Sequence, residues 1–408
     1  MTDDAEAATS AAPQLLGLAA LMRLNLAGAN LLPLGQELLA RAAADAGDAC
    51  ALMDAATILE FLGQRETALT LQREALRTRR DFLLPARRQP ARLRLLALMA
   101  PGDLMANVPL DALLEDSDVD LQLHYLKPGG HLADPLPEHD LLFVALSETE
   151  PNRGLLNQLT FDLAHWPKPV LNRPDRIPRL ARDRASALLD QVPGIAMPPT
   201  ARVTRDALAR VSDRRAAPDA LVPGSQFPLI VRPLDSHAGN DLQKVDDADM
   251  LRHYLASVVE QRFFVSPFID YRNADGLFRK YRIALIDGRP YACHMGISSH
   301  WMIHYLNAGM AESAAKRAEE EQFMLTFDDG FARRHAAALA AIHERMGLDY
   351  VCLDCAEAAD GRLLIFEVDH AMIVHAMDPV DVFPYKQPQM RKLMSAFRDM
   401  LGRAAGIS

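Results

Sequence analysis

The sequence predicts an α/β (α+β) protein with three parts: an all-helical N-terminal domain, a parallel α/β subdomain and a larger mixed α/β unit containing hairpins. Three observations predict it. From Leu15 to about Arg80 apolar residues recur at helical spacing, with no strand-like run. Between residues 91 and 175 short apolar runs alternate with helical ones, which implies a parallel sheet. Beyond residue 176, β-prone stretches flank Asp287-Gly288 and Asp360-Gly361, dipeptides suited to two-residue hairpin turns whose central residues both take positive φ. A chain of 408 residues is too long for a single core, and half of its residues are hydrophobic, which supports well-buried cores. The formal net charge of −10 argues against nucleic-acid binding by general electrostatics but leaves room for a local basic pocket.

Residues 1–13 read as a disordered tail. They are acidic and carry no basic segment leading into an apolar run, so no secretory signal is expected. No apolar run approaches the length of a membrane span. The four cysteines, Cys50, Cys293, Cys352 and Cys355, are too sparse for a disulfide framework. A soluble, cytoplasmic protein with no membrane partner is expected.

The domain 14–80 is read as three helices. Leu38, Leu39, Ala42 and Ala43 mark the first; Leu52, Ala55, Ala56, Leu59 and Leu62 the second; Ala68, Leu71, Ala75 and Leu76 the third. Helix, Gly63 turn and helix with small residues at the crossing resemble a tetratricopeptide unit. One or two such units are too few for a free solenoid and must lean on a neighbour. A plain helical cap is the alternative to a peptide-binding groove. Arg80–Pro90 reads as a linker from its proline and charge content.

Within 91–175, Leu93–Met99, Val119–Tyr125, His139–Ala145 and Lys168–Leu171 are strand candidates. Ligands of parallel sheets lie beyond the carboxyl ends of the strands, which singles out the loops Pro101–Pro109, Ser147–Gly154 and Asn172–Ile177. No GxGxxG is present, so no dinucleotide is proposed.

Unit 176–408 opens with an arginine-rich helix, Arg179–Leu189. Phe227–Val231 is a β run leading through Arg232 into LDSHAGNDLQKV, where Ser236, Gly239 and Asn240 let backbone N–H groups curl around an anion and Arg232 and Lys244 add charge. His237 in that loop reads as a loop histidine before a catalyst. Phe263–Ile269 is a buried strand. Counting from Asp287-Gly288, Arg282 opposes Cys293 and shares a face with Lys280. His300 and His304 lie one turn apart if their segment is helical; substrate contact or packing suits them better than a metal, since no third ligand follows.

The stretch Asp349–His375 organises the rest. If Asp360 and Gly361 form the turn, Asp354 sits opposite Glu367, and Asp369 shares their face because side chains alternate along a strand. The simplest remedy for three carboxylates on otherwise buried strands is a bound hard cation, and oxygen ligands suit Mg²⁺; an exposed hairpin face where the acids are solvated is the alternative. On the same strand Cys352 and Cys355 point to opposite faces, so they cannot chelate one metal.

Taken in order, LNRPDRIPRLARDR, FPLIVRP, DSHAGNDL, FVSPFID, KYRIALIDGRPYA and LDCA…IFEVDH resemble the ATP-grasp superfamily, in the branch of glutathione synthetase and the ribosomal-protein glutamate ligases. The resemblance covers roughly Leu93 to Leu401 and implies an ATP-grasp fold after a Rossmann-like subdomain. It implies ATP contacts at Arg184, Arg232, Ser236, His237, Gly239 and Lys280, and adenine contacts at Ser266, Pro267, Phe268 and Ile269. It implies catalytic charge from Arg282 and Arg232, and Mg²⁺ on Asp354, Glu367 and Asp369. Where the family carries Lys this chain has Arg232, which changes the hydrogen-bond geometry; where it carries Asn this chain has Asp369. The implied activity is ATP-dependent carboxylate–amine ligation through an acyl phosphate, with a peptide or protein among the acceptors considered. His300, His304, His375 and Lys386 are the expected acceptor contacts. A kinase on the same fold, or an inactive nucleotide-binding adaptor using the helical repeats, is the alternative. Homodimerisation is left open.

Overall fold

The computed structural model describes residues 14–132, 135–234, 236 and 239–407. Four helices come first: α1 (Leu18–Leu26), α2 (Leu32–Ala44), α3 (Ala49–Phe61) and α4 (Arg65–Thr78). Asp48 caps α3 by accepting from the Ala51 amide, and Gly63, at φ +76°, makes the turn into α4. The small residues of α3 let it bury two faces. Ala51, Ala55 and Ile58 pack with Leu21 and Leu38, while Ala49, Cys50 and Met53 join a core shared with the following sheet.

That sheet has five strands: β1 (Asp81–Leu84), β2 (Leu93–Met99), β3 (Val119–Tyr125), β4 (Leu141–Val144) and β5 (Val170–Leu171), in the order β1-β3-β2-β4-β5. All neighbours are parallel except β1, which runs antiparallel to β3. β1 corrects the expectation of a linker over Arg80–Pro90. It places only Phe82 in the core, too little alternation to show through the flanking charge and proline. The short helix α5 (Leu110–Leu113) and α6 (Arg153–Asp162) lie in the connections.

After α7 (Arg182–Leu189) and the two-residue β6 (Ile195–Ala196), a small antiparallel sheet is formed by β7 (Ala201–Thr204), β8 (Leu229–Pro233), β9 (Gln243–Val245) and β10 (Arg262–Pro267), ordered β7-β10-β8-β9. Helices α8 (Arg205–Ser212) and α9 (Ala248–Ser257) cover it, with Leu208, Val231, Leu251 and Phe263 in a core of their own.

The third sheet contains β11 (Phe278–Ile286), β12 (Arg289–Ser298), β13 (Tyr350–Glu357) and β14 (Leu363–Asp369), ordered β12-β11-β13-β14-β6. Helices α10 (Ala314–Leu325), α11 (Ala336–Met346) and α12 (Lys386–Ala405) complete the chain. Alternation divides this sheet cleanly. Ile283, Leu285, Val351, Leu353 and Cys355 enter one core; Ala284, Ile286, Tyr350 and Cys352 enter the core shared with α12 and the parallel sheet. Cys352 and Cys355 therefore face opposite sides, as expected.

Both hairpins carry β-bulges that sequence counting did not foresee. At Asp287-Gly288 both residues have positive φ and the two-residue turn forms, but a bulge between Arg282 and Ile283 sets Arg282 opposite His294 rather than Cys293. In the second hairpin Ala358 donates to the Arg362 carbonyl, so the loop has three residues and only Gly361 takes positive φ. A bulge at Phe366 restores the count. Asp354 faces Glu367 and Cys352 faces Asp369, the pairing expected for a different turn.

The structure is thus an α/β protein with three sheets and an N-terminal helical region. Among the described residues no helix is long and apolar enough to cross a membrane. Asn172, at the start of one loop singled out beyond the parallel strands, and Leu146, just before another, tie the parallel sheet to the third sheet. The Asn172 side chain donates to the Tyr350 carbonyl (2.8 Å) and accepts from the Tyr350 amide (2.9 Å), and the Leu146 carbonyl meets His370 Nε2 at 2.8 Å.

Candidate active site

A cleft of about 700 Å³ is lined by the small antiparallel sheet on one side and by β11, β13 and β14 on the other. β8 and β10 bring Ile230, Arg232, Phe264, Ser266 and Pro267 to it; Phe268 and Ile269 follow directly, and Lys280, Arg282, Asp354, Glu367 and Asp369 come from the facing sheet. The apolar wall near Phe268 is extended by Trp301, whose ring meets Phe268 edge-on at 5.6 Å. The Phe268 amide donates to the Pro228 carbonyl at 2.9 Å, fixing the segment after β10.

Asp354 is the electrostatic centre. Arg282 holds it with two bonds, Nε to Oδ1 at 2.8 Å and Nη2 to Oδ2 at 3.1 Å, and Lys280 Nζ adds a third at 2.9 Å. Burial would raise the Asp354 carboxyl, but Arg282 and Lys280 outweigh it and hold its pKa well below the carboxylate range. Glu367 accepts from Arg182, and burial is again outweighed, here by Arg182 and Arg232, so its pKa falls too. Asp369 behaves in the opposite way. Burial and the neighbouring Glu367 push it up to about 7, although the Ala371 amide donates to it at 3.0 Å. Arg232 is buried, and burial together with Arg182 brings its pKa down to about 9. Its guanidinium donates to the Ser236 hydroxyl at 3.1 Å and to the Ser236 carbonyl.

These contacts change the expected metal site. Among the described residues no three His, Cys, Asp or Glu side chains converge as a metal cage. The three acids do share one sheet face, but Asp354 is fully engaged by two cations. Glu367 and Asp369 fit a Mg²⁺ ion better. Asp369 is a partly buried acid raised by desolvation and by its acidic neighbour, the condition a cation would relieve, and Mg²⁺ needs only one or two carboxylates when phosphates complete its shell.

The remaining expected site residues divide. Gly239, His304, His375 and Lys386 line the cleft. Arg184 does not: it faces solvent, and Arg182 occupies the inner position. On α7 Arg182 shares its face with the buried Ala185, Ser186 and Leu189, three, four and seven residues on, so helical periodicity carried the signal. Ser236 touches Arg232 without lining the cleft, and His237 lies outside the described residues. His300 is exposed and outside the cleft, because residues 299–304 form a loop and not the helix that would align it with His304. His304, partly buried among Lys280 and Arg282, has its pKa lowered, by burial first. Lys386 is buried and already engaged, with Tyr305 through its hydroxyl, Asp378 at 3.3 Å and Glu320 at 3.4 Å.

No protein-family model matches the sequence, and no curated protein does. Among solved structures, the chain is similar to a D-alanine–D-alanine ligase from Bacillus anthracis complexed with ATP, with TM-score 0.46 and 15% identity over 77% of this chain and 98% of the other. It is similar to the VanG D-Ala:D-Ser ligase of Enterococcus faecalis, with TM-score 0.47 and 14% identity over 76% and 99%. A RimK-domain ATP-grasp protein from Sphaerobacter thermophilus gives TM-score 0.42 and 16% identity over 75% and 99%.

Proposed function

We propose that the chain is an ATP-dependent carboxylate–amine ligase of ATP-grasp type. The observation that carries this reading is the floor of the cleft: Arg282 and Lys280 share Asp354, beside Glu367 and Asp369. Cations and acids in alternate positions on facing strands suit a polyphosphate with its metal. The apolar surface at Ile230, Phe268 and Trp301 suits a purine.

ATP would lie between the two sheets. When bound, Mg²⁺ would be held by Glu367 and Asp369 and would neutralise phosphate charge. A substrate carboxylate oxygen attacks the γ-phosphorus, the bond to the bridging oxygen breaks, and ADP leaves. An amine then attacks the acyl carbon, loses a proton, and releases inorganic phosphate. Lys280, Arg282 and Arg232 stabilise charge on the transferred group, and positioning supplies most of the acceleration. None of these residues needs to become a covalent nucleophile.

The test is nucleotide turnover over a panel of acids and amines. ADP and free phosphate, formed only with both present and with ¹⁸O passing from labelled carboxylate into phosphate, is the expected result. Phosphate retained on the product would replace the ligase with a kinase. Nucleotide binding without turnover would make the chain an adaptor.

A further inference from the structure

The lining of this same cleft includes an apolar stretch next to Arg282, here called the chamber. Its wall is formed by Met22 and Leu26 of α1 together with Met105, Met372, Ile373 and Met377. The connection to the reacting end is direct, since Arg282 Nη1 donates to the Ile373 carbonyl at 3.1 Å. Met22 and Met377 belong to one apolar cluster, against which Ile373 packs. The polar groups nearby carry little net charge. Asp378 is paired with Lys386 at 3.3 Å, and His375 accepts from the Met377 amide through Nδ1 at 3.1 Å. At the inner end Lys280 and Arg282 share the single carboxylate of Asp354, which leaves positive charge in excess on those strands.

We propose that this chamber holds the body of the acid substrate and that the body is apolar: an aliphatic or aromatic carboxylic acid, and not an acidic amino acid or an acidic peptide. The choice of the acid as occupant rests on the ligase reading. The apolar preference rests on the lining alone. Methionine side chains are unbranched and polarizable, so such a wall accepts apolar groups of differing shape. The carboxylate is directed to the cationic end, where Arg282 and Lys280 meet it beside the proposed phosphate position.

The helical region has a defined part in this. α1 is fixed against the body of the protein by three acids. Asp54 accepts from the amides of Leu16 (2.8 Å) and Gly17 (3.1 Å), Asp111 from that of Ala19 (2.7 Å), and Glu115 pairs with Arg23. Met22 is therefore a built wall of the chamber. Leu26 is 38% exposed and Leu306 is 82% exposed, and both line the cleft, so its mouth is apolar as well. These helices contribute to a small-molecule site without any peptide groove being required.

Calorimetric titration of the full chain with octanoate, 3-phenylpropanoate, glutarate and octylamine tests this. Octanoate and 3-phenylpropanoate should bind at least tenfold tighter than glutarate and tighter than octylamine. Leu26→Glu, at a position 38% exposed, and Met377→Glu should each remove that preference. Glutarate binding as tightly as octanoate, octylamine matching octanoate, or a preference that survives in Leu26→Glu would overturn the proposal. Affinity for a non-hydrolysable ATP analogue, measured on the same samples, reports separately on the ligase reading. It should be unchanged in Leu26→Glu, and failure to bind the analogue would count against the nucleotide site while the ranking of acids still decides the chamber.

Discussion

Asp354 shows how one buried residue can depend on two neighbours. It is 5% exposed and its charge is compensated within the protein by Arg282 and Lys280. Replacing Arg282 by Met should leave a buried carboxylate with one cation and cost about 3–5 kcal/mol of stability, measured by denaturant unfolding. Adding Asp354→Asn to that variant should restore part of the loss, since the uncompensated charge is then gone. No restoration would mean that Arg282 stabilises through packing alone. The identities of Asp354, Glu367 and Asp369 were legible in the sequence because alternation on a strand is a strict rule. Their partners were not. Which cation reaches which acid depends on strand order, and the antiparallel pairing of β11 with β13 brings together residues 72 positions apart.

Individual elements explain the remaining successes and failures. The second hairpin's expected pairing is correct because a three-residue loop and a bulge at Phe366 offset one another. In the first hairpin the turn was read correctly and an uncompensated bulge shifted Arg282 by one partner. Bulges have no composition signal in a single sequence, so register beyond the turn was open to this error. On α7 the choice of Arg184 over Arg182 ignored the apolar face that Ala185, Ser186 and Leu189 define. Arg182→Ala should weaken binding of a non-hydrolysable ATP analogue at least tenfold, because it removes a cation that lines the cleft beside the proposed phosphate position, whereas Arg184→Ala should bind as the parent does. Calorimetry on the two variants checks this, and equal losses would return Arg184 to the site.

The attachment of α1 to α3 has its own pH dependence. Burial raises the Asp54 carboxyl from 3.8 to about 6, against the lowering effect of the Leu16 and Gly17 amides. The folded state thus binds this proton more tightly than the unfolded state. The associated stability is complete below about pH 4 and is lost as pH rises through about 6. A shift of this size corresponds to roughly 3 kcal/mol at most. The stability of the parent relative to Asp54→Asn should fall by up to that amount between pH 4 and pH 7 in urea unfolding. A difference independent of pH would contradict the assignment.

For the molecule as a whole, the helical region and the sheets are not separable in energetic terms. Ala49, Cys50, Met53, Ala75 and Leu76 lie in the same core as Phe82, Leu95, Phe143 and Phe397. Removing residues 1–80 should expose that core and yield aggregated protein in size-exclusion chromatography; a monodisperse, folded remainder would show that the helices are an independent cap. The alternation of helices and strands made the parallel sheet legible, whereas this shared core was not, because helical periodicity marks an apolar face without naming what covers it. The helical region and the two later sheets line one cleft, where the helical region supplies Met22, the small sheet Arg232 and the third sheet its acids. The central claim is that this cleft binds ATP through a metal held by Glu367 and Asp369. Calorimetric binding of a non-hydrolysable ATP analogue, with Mg²⁺ and with chelator, to the parent and to Glu367→Gln tests it most directly. The account predicts binding at least tenfold tighter with Mg²⁺ in the parent, and loss of that advantage in the variant. Absence of binding to the parent, or an undiminished Mg²⁺ advantage in Glu367→Gln, would contradict it.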